Sequence, residues 1–125
     1  MKWWFPTGTP GKSNNLWGIH LMENRADEMI LTEGVFDAVW GKNRLAIFGK
    51  SASVAQINLM ATLNPKRIII ALDFDAEMAA LKLGNWIAMN LSVPIFKSKL
   101  PKGSDPCDLG IEGQDVILDT AERIF

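Results

Sequence analysis

The chain has 125 residues, 48% of them hydrophobic, which suits one compact domain with a real core rather than a disordered tail. Thirteen basic and 14 acidic residues leave a net charge of −1, so the protein is no polycation, and binding of nucleic acid must rest on a local basic patch or on metal ions. One cysteine and one histidine exclude an intramolecular disulfide and argue against a zinc site within one chain. A reducing, cytoplasmic setting fits. No stretch approaches the roughly 20 apolar residues of a membrane span, and the start is too short in apolar length for a signal peptide.

Residues 1–27 open with Pro6, Gly8, Pro10, Gly11, Ser13, Asn14, Asn15 and Gly18, which is turn chemistry and reads as an irregular N-terminal arm. Lys2 and Lys12 make the first 20 residues the only clearly basic segment. A domain is expected over 28–125. Residues 29–32 are a β-prone run, 35–40 are apolar at helical spacing, and 45–48 form a second short strand. Residues 51–63 read as an amphipathic helix. Residues 67–72 are apolar throughout, as in a strand covered on both faces. A strong helix candidate runs over 76–90, a fourth strand over 93–96, a polar loop over 97–110 and a closing helix over 114–125.

Strands thus alternate with helices four times. The pattern predicts an α/β, Rossmann-like fold: a four-stranded, mainly parallel sheet with helices on both faces. Ligands of such sheets bind at the carboxyl ends of the strands.

The chemistry concentrates there. Asp73 and Asp75 follow the third strand, and alternation along an extended chain points both to one side while Phe74 points to the other. Glu33 and Asp37 follow the first strand, and Asp105 and Asp108 lie in the loop after the fourth. Carboxylates packed together repel and raise one another's pKa. A hard cation such as Mg²⁺ relieves this and can orient phosphates for transfer. The competing reading is a set of unrelated turn acids, with one aspartate capping a helix.

Three stretches, Thr32-Glu33-Gly34-Val35-Phe36-Asp37-Ala38, Leu72-Asp73-Phe74-Asp75-Ala76 and Lys102-Gly103-Ser104-Asp105-Pro106-Cys107-Asp108-Leu109, resemble the signature motifs of TOPRIM domains in bacterial and phage DNA primases, including the primase halves of primase–helicases. Order and spacing match across residues 28–110. Lys12 followed by Leu16-Trp17-Gly18-Ile19 is similar to the stretch just upstream of that domain. The resemblance implies Glu33, Asp73 and Asp75 as catalytic residues, and Asp37, Asp105 and Asp108 alongside them as ligands of Mg²⁺ or Mn²⁺. It implies Lys12 as a phosphate contact, and Lys50 and Lys102 join it as candidate nucleotide or nucleic-acid contacts. The implied activity is nucleotidyl transfer from nucleoside triphosphates, making short RNA primers on single-stranded DNA. A separate helicase or zinc-binding primase subunit is an expected partner, and a phage origin, with the host cytoplasm as location, is expected.

Two departures keep alternatives open. Glu77 stands where these primases have glycine, so a third acid could serve a TOPRIM nuclease that activates water. The small size and the lack of a basic surface leave room for a non-catalytic module that binds nucleic acid or nucleotide. Phe48-Gly49-Lys50-Ser51 is not a nucleotide phosphate loop, because the position five before Gly49 is Arg44 rather than glycine. Trp3, Trp4, Trp40 and Trp86 read as packing residues, Cys107 as a spectator, and Lys97 and Lys99 as solvated charges.

Overall fold

The computed structural model describes residues 16–19, 22, 27–73 and 75–125. Lys12, Trp3, Trp4, His20 and Phe74 lie outside the described residues. Among the described residues, five strands and five α-helices follow in the order β1 (Glu28–Thr32), α1 (Val35–Ala38), β2 (Arg44–Ala46), α2 (Val54–Leu63), β3 (Arg67–Ile70), α3 (Glu77–Asn90), β4 (Ile95–Lys97), α4 (Pro106–Leu109), α5 (Gly113–Thr120) and β5 (Glu122–Arg123). The sheet order is β2-β1-β3-β4-β5. The first four strands are parallel, and β5 pairs antiparallel with β4.

The expected α/β class and its four parallel strands are present, with a fifth strand added at the edge. The central strands are apolar because both faces are covered. Met29, Leu31, Ile68 and Ile70 point to one face and pack with Ile57 and Met60 of α2 and with Ala80, Leu83 and Ile87 of α3. Ile30 and Ile69 point to the other and pack with Leu100 and with Ile117 of α5. Leu16 is buried in the first of these clusters.

The elements end where local chemistry dictates. Helix α2 begins at Val54 because Ser53 accepts from the Gln56 amide N–H at 3.1 Å while the Gln56 side chain accepts from the Ser53 amide at 3.0 Å. This is a capping box. Asn64 ends the helix in a left-handed conformation (φ 48°), which asparagine tolerates. The closing helix stops at Thr120, five residues earlier than periodicity suggests, because Ala121 turns extended and the chain returns alongside β4. The main-chain N–H groups of Ile124 and Phe125 donate to the Ile95 carbonyl at 2.8 and 3.3 Å. Tertiary pairing overrides helical propensity here. At the opposite edge, Trp17 makes an antiparallel bridge to Ala46 of β2, with N–H···O distances of 3.2 and 3.1 Å.

Ile69 is fully buried between α5 and the central strands. Ile69→Ala is expected to cost about 2–5 kcal/mol through reduced burial and the cavity left behind. Urea denaturation checks this as a lower midpoint at unchanged slope.

Candidate metal and nucleotide site

Three chain segments deliver acids to the carboxyl edge of the sheet. Glu33 follows β1. Its main-chain carbonyl accepts from the Gly49 N–H at 3.2 Å, which holds the β1 and β2 ends together. Thr32 is buried, and its hydroxyl reaches the Leu45 carbonyl at 3.1 Å. Gly34, at a φ of −125° open to any residue, precedes α1, and its N–H donates to Asp37 Oδ2 at 3.3 Å.

The other oxygen of Asp37 crosses between segments. Asp37 Oδ1 accepts from the main-chain N–H of Cys107 at 3.0 Å, across 70 positions of sequence. Both oxygens of Asp37 are therefore engaged, and the residue braces α1 against α4. Asp105 caps α4: its Oδ1 accepts from the Asp108 N–H at 2.7 Å, and Asp108 Oδ2 accepts from the Asp105 N–H at 3.2 Å. Each of these two carboxylates commits one oxygen to the cap. The helix-cap reading and the site reading thus hold together at Asp105 and Asp108.

Asp73 and Asp75 line an open cleft of about 180 Å³ with Gly103, Ser104, Asp105 and Asp108. The sequence-predicted pair after β3 and the pair in the last loop therefore face one space. On its other side Asp73 borders a smaller cleft of about 70 Å³ that includes Ala76, Glu77, Lys97 and Lys99.

Charge is concentrated enough to be felt. Asp73 has its pKa raised from 3.8 to about 6, by burial first and then by the negative charges of Asp105, Asp37, Glu33 and Asp75. Asp37 is also raised, again by burial first. The Cys107 hydrogen bond works against this, Asp105 adds to it, and the Gly34 hydrogen bond and Glu33 contribute less, in opposite directions. Asp73 thus feels four of the other five predicted acids, and the fifth, Asp108, lines the same cleft.

Two residues carry roles that the sequence does not announce. The main-chain N–H of Cys107 holds Asp37, and one ligand atom from each of Asp37, Asp105 and Cys107 lies within 4.8 Å of the others, a spacing compatible with a metal ion. Arg44 is a buried cation that joins three elements. Its Nη1 donates to the Asp37 carbonyl at 2.7 Å and its Nε to Gln114 Oε1 at 3.0 Å, while Gln114 Nε2 donates to the Lys42 carbonyl at 3.2 Å. A Cβ on Gly41 would stand 2.5 Å from Arg44 Nε. Burial lowers the Arg44 pKa, and Asp37 partly offsets this. A lone arginine at the start of a strand gives no sequence signal for such a role.

The candidate cations are placed less uniformly. Lys50 is exposed at the end of the β2 turn, and Lys102 is exposed beside Gly103 of the cleft wall. Lys97 pairs with Glu77 at 3.2 Å, and Lys99 is exposed. Trp40, expected in the core, is 41% exposed.

The donor set fits a hard divalent cation. It is dominated by carboxylate oxygens, it is open on one side, and its accumulated negative charge adds to burial in raising Asp73. Asp73 also yields a test in metal-free buffer. A carboxyl displaced from 3.8 to about 6 opposes folding by at most ~3 kcal/mol, and solvent screening of so accessible a group leaves about 1 kcal/mol. The sign follows from linkage. The folded state holds the proton more tightly, so the penalty is full above about pH 6 and gone below 3.8. Asp73→Asn is expected to raise the melting temperature by roughly 3–6 °C at pH 8, a gain that fades as the pH falls through that window. Thermal melts in EDTA across the pH range check it.

No family model and no curated protein matches the chain. Solved structures do. The Aquifex aeolicus primase, in a structure of its zinc-binding and RNA polymerase domains, superposes with a TM-score of 0.74 at 22% identity, covering 95% of this chain and 32% of that one. A DnaG primase catalytic domain bound to single-stranded DNA gives 0.70 at 21% identity, covering 94% of this chain and 42% of that one. A DnaG catalytic core gives 0.68 at 22% identity, covering 94% and 43%. The chain spans 32–43% of the length of these structures. It has the TOPRIM-like α/β fold found within DnaG-type primase catalytic domains.

Proposed function

We propose that the chain is a primase-type TOPRIM domain, with the domain proper over residues 28–125, that carries out metal-dependent nucleotidyl transfer on a single-stranded DNA template. The observation that carries this reading is the cleft in which Asp73 and Asp75 face Asp105 and Asp108, with Glu33 and Asp37 in electrostatic contact. Likeness to primase catalytic domains supports it.

Asp73 and Asp75 are the main candidates to hold Mg²⁺ or Mn²⁺, with Asp105 and Asp108 opposite and Glu33 and Asp37 beside them. Such an ion, when bound, supplies charge neutralisation for a triphosphate and its leaving group. The chain's own contribution is placement. Asp37 ties the Glu33 segment to the last loop, so that acids from separate segments keep one spacing. The α4 cap fixes Asp105 and Asp108 while leaving an oxygen of each for the cleft. Lys50 and Lys102 flank the edge as phosphate contacts, and Lys12 joins them as a proposal from resemblance alone. Template and nucleoside triphosphates are the proposed substrates, and a helicase or zinc-binding subunit the proposed partner.

The nuclease alternative draws on Glu77 as a third acid. That carboxylate is engaged with Lys97 at 3.2 Å, which weakens the case for it.

The deciding assay incubates the protein with single-stranded DNA, labelled nucleoside triphosphates and Mg²⁺ or Mn²⁺, and follows DNA and nucleotide on one gel. Short oligoribonucleotides are the expected product. EDTA and Asp73→Asn abolish them, and Glu33→Gln lowers their yield at least 100-fold, the scale of removing an acid–base or metal-positioning carboxylate. Shortened DNA instead means the nuclease. Saturating Mg²⁺ should raise the melting temperature of the parent protein by several degrees and leave that of Asp73→Asn unmoved, because binding to the folded state alone stabilises it. Equal shifts in both proteins would remove Asp73 from the ligand set.

A further inference from the structure

A groove outside the acidic cleft carries an inference that rests on the primase reading and extends it. It lies between the turn after β2 and one face of α3, with a volume of about 240 Å³, and Lys50, Ala52, Ala79, Lys82, Leu83 and Trp86 line it. Residues 79, 82, 83 and 86 fall at helical spacing and so form one stripe on α3. From Glu77 at the start of the helix to Trp86 is about 14 Å, the length of a few stacked bases. Helix α3 begins two residues after Asp75, so the stripe leads directly away from the cleft.

The groove brings two exposed cations and an aromatic ring onto one surface. Lys66, Arg67 and Lys97 each pair with a carboxylate, at 3.1, 3.2 and 3.2 Å. Lys50 and Lys82 have no such partner among the described residues, and both are exposed. Trp86 is 36% exposed, yet its indole N–H already donates to the Ala52 carbonyl at 2.9 Å. The ring is therefore held in place with its donor occupied, and what it offers a ligand is an apolar surface. Phe48 adopts a left-handed conformation (φ 60°), uncommon for a bulky residue, in the turn that delivers Lys50 to the rim.

We propose that this groove is a binding track for single-stranded nucleic acid, in which a base packs on Trp86 and the phosphates on either side meet Lys50 and Lys82. An anchored aromatic flanked by cations without carboxylate partners is the pattern of sequence-tolerant strand binding. The two positive charges favour a polyanion over an apolar protein segment as occupant. The track carries the strand along α3 toward the acids.

The test is fluorescence anisotropy of a labelled oligo-dT strand with the full chain in EDTA, so that metal binding in the acidic cleft plays no part. The double variant Lys50→Ala/Lys82→Ala is expected to weaken binding about tenfold and to make the salt dependence shallower by roughly 1.4, at about 0.7 for each phosphate left without its lysine. Trp86→Leu, which keeps an apolar body, is expected to weaken it at least about fivefold. Lys66→Ala, at the far end of the sheet and paired with Asp27, serves as the control and should change nothing. The lysine changes are on the surface and do not threaten folding. Unchanged affinity in the double lysine variant overturns the track, as does an equal weakening in Lys66→Ala, which would mark diffuse attraction. Primer synthesis dependent on Asp73 together with unaltered strand affinity in the lysine variant would sink the track and keep the primase. Lysine-dependent binding without synthesis would do the reverse.

Discussion

Negative charge gathered at one end of an apolar sheet is the constraint to which the rest of this structure answers. Each acid alone is an ordinary strand-end or helix-start residue. Burial and the repulsion among them lift Asp73 to about 6, so holding them in place opposes folding at neutral pH. The sheet below tolerates this because its central strands are buried on both faces, between α2 and α3 on one side and α5 on the other. The apolar layers supply the stability that offsets the strained edge.

Local hydrogen bonding makes the arrangement rigid. Asp37 uses both oxygens on main-chain N–H groups, one in its own turn and one at Cys107. Arg44 holds the carbonyl of the same residue from behind and reaches across to Gln114 on α5. The positions of the acids therefore depend on contacts between segments some 70 residues apart as much as on the strands that carry them. A change at Arg44 or Gln114 touches the cleft without lining it.

That division explains what is legible in the sequence. Asp73 and Asp75 are legible because an apolar run ending in alternate acids is a local pattern, and Glu33 directly follows a strand in the same way. The alternation of strands and helices suffices for a parallel sheet. Arg44 and Cys107 are not legible, since their roles exist only through distant partners. Nor is β5. Residues 121–125 continue a helical periodicity, and only pairing with β4 and the packing of Ile124 and Phe125 on Gly84 of α3 draw them into the sheet. At Glu77 the nearest charges in sequence are acids, whereas the partner in space is Lys97.

The two outer strands of the parallel set share one further property. β2 takes the Trp17 bridge along its open side, and β4 takes Glu122–Arg123. Unpaired strand margins are templates on which a second molecule can extend the sheet, and short charged or irregular covers are the usual defence. Here the covers come from the two ends of the described chain, and the strand facing solvent at the β4 side carries a glutamate and an arginine, both exposed. Among the described residues neither flank offers a long flat row of backbone groups on which a second copy could extend the sheet.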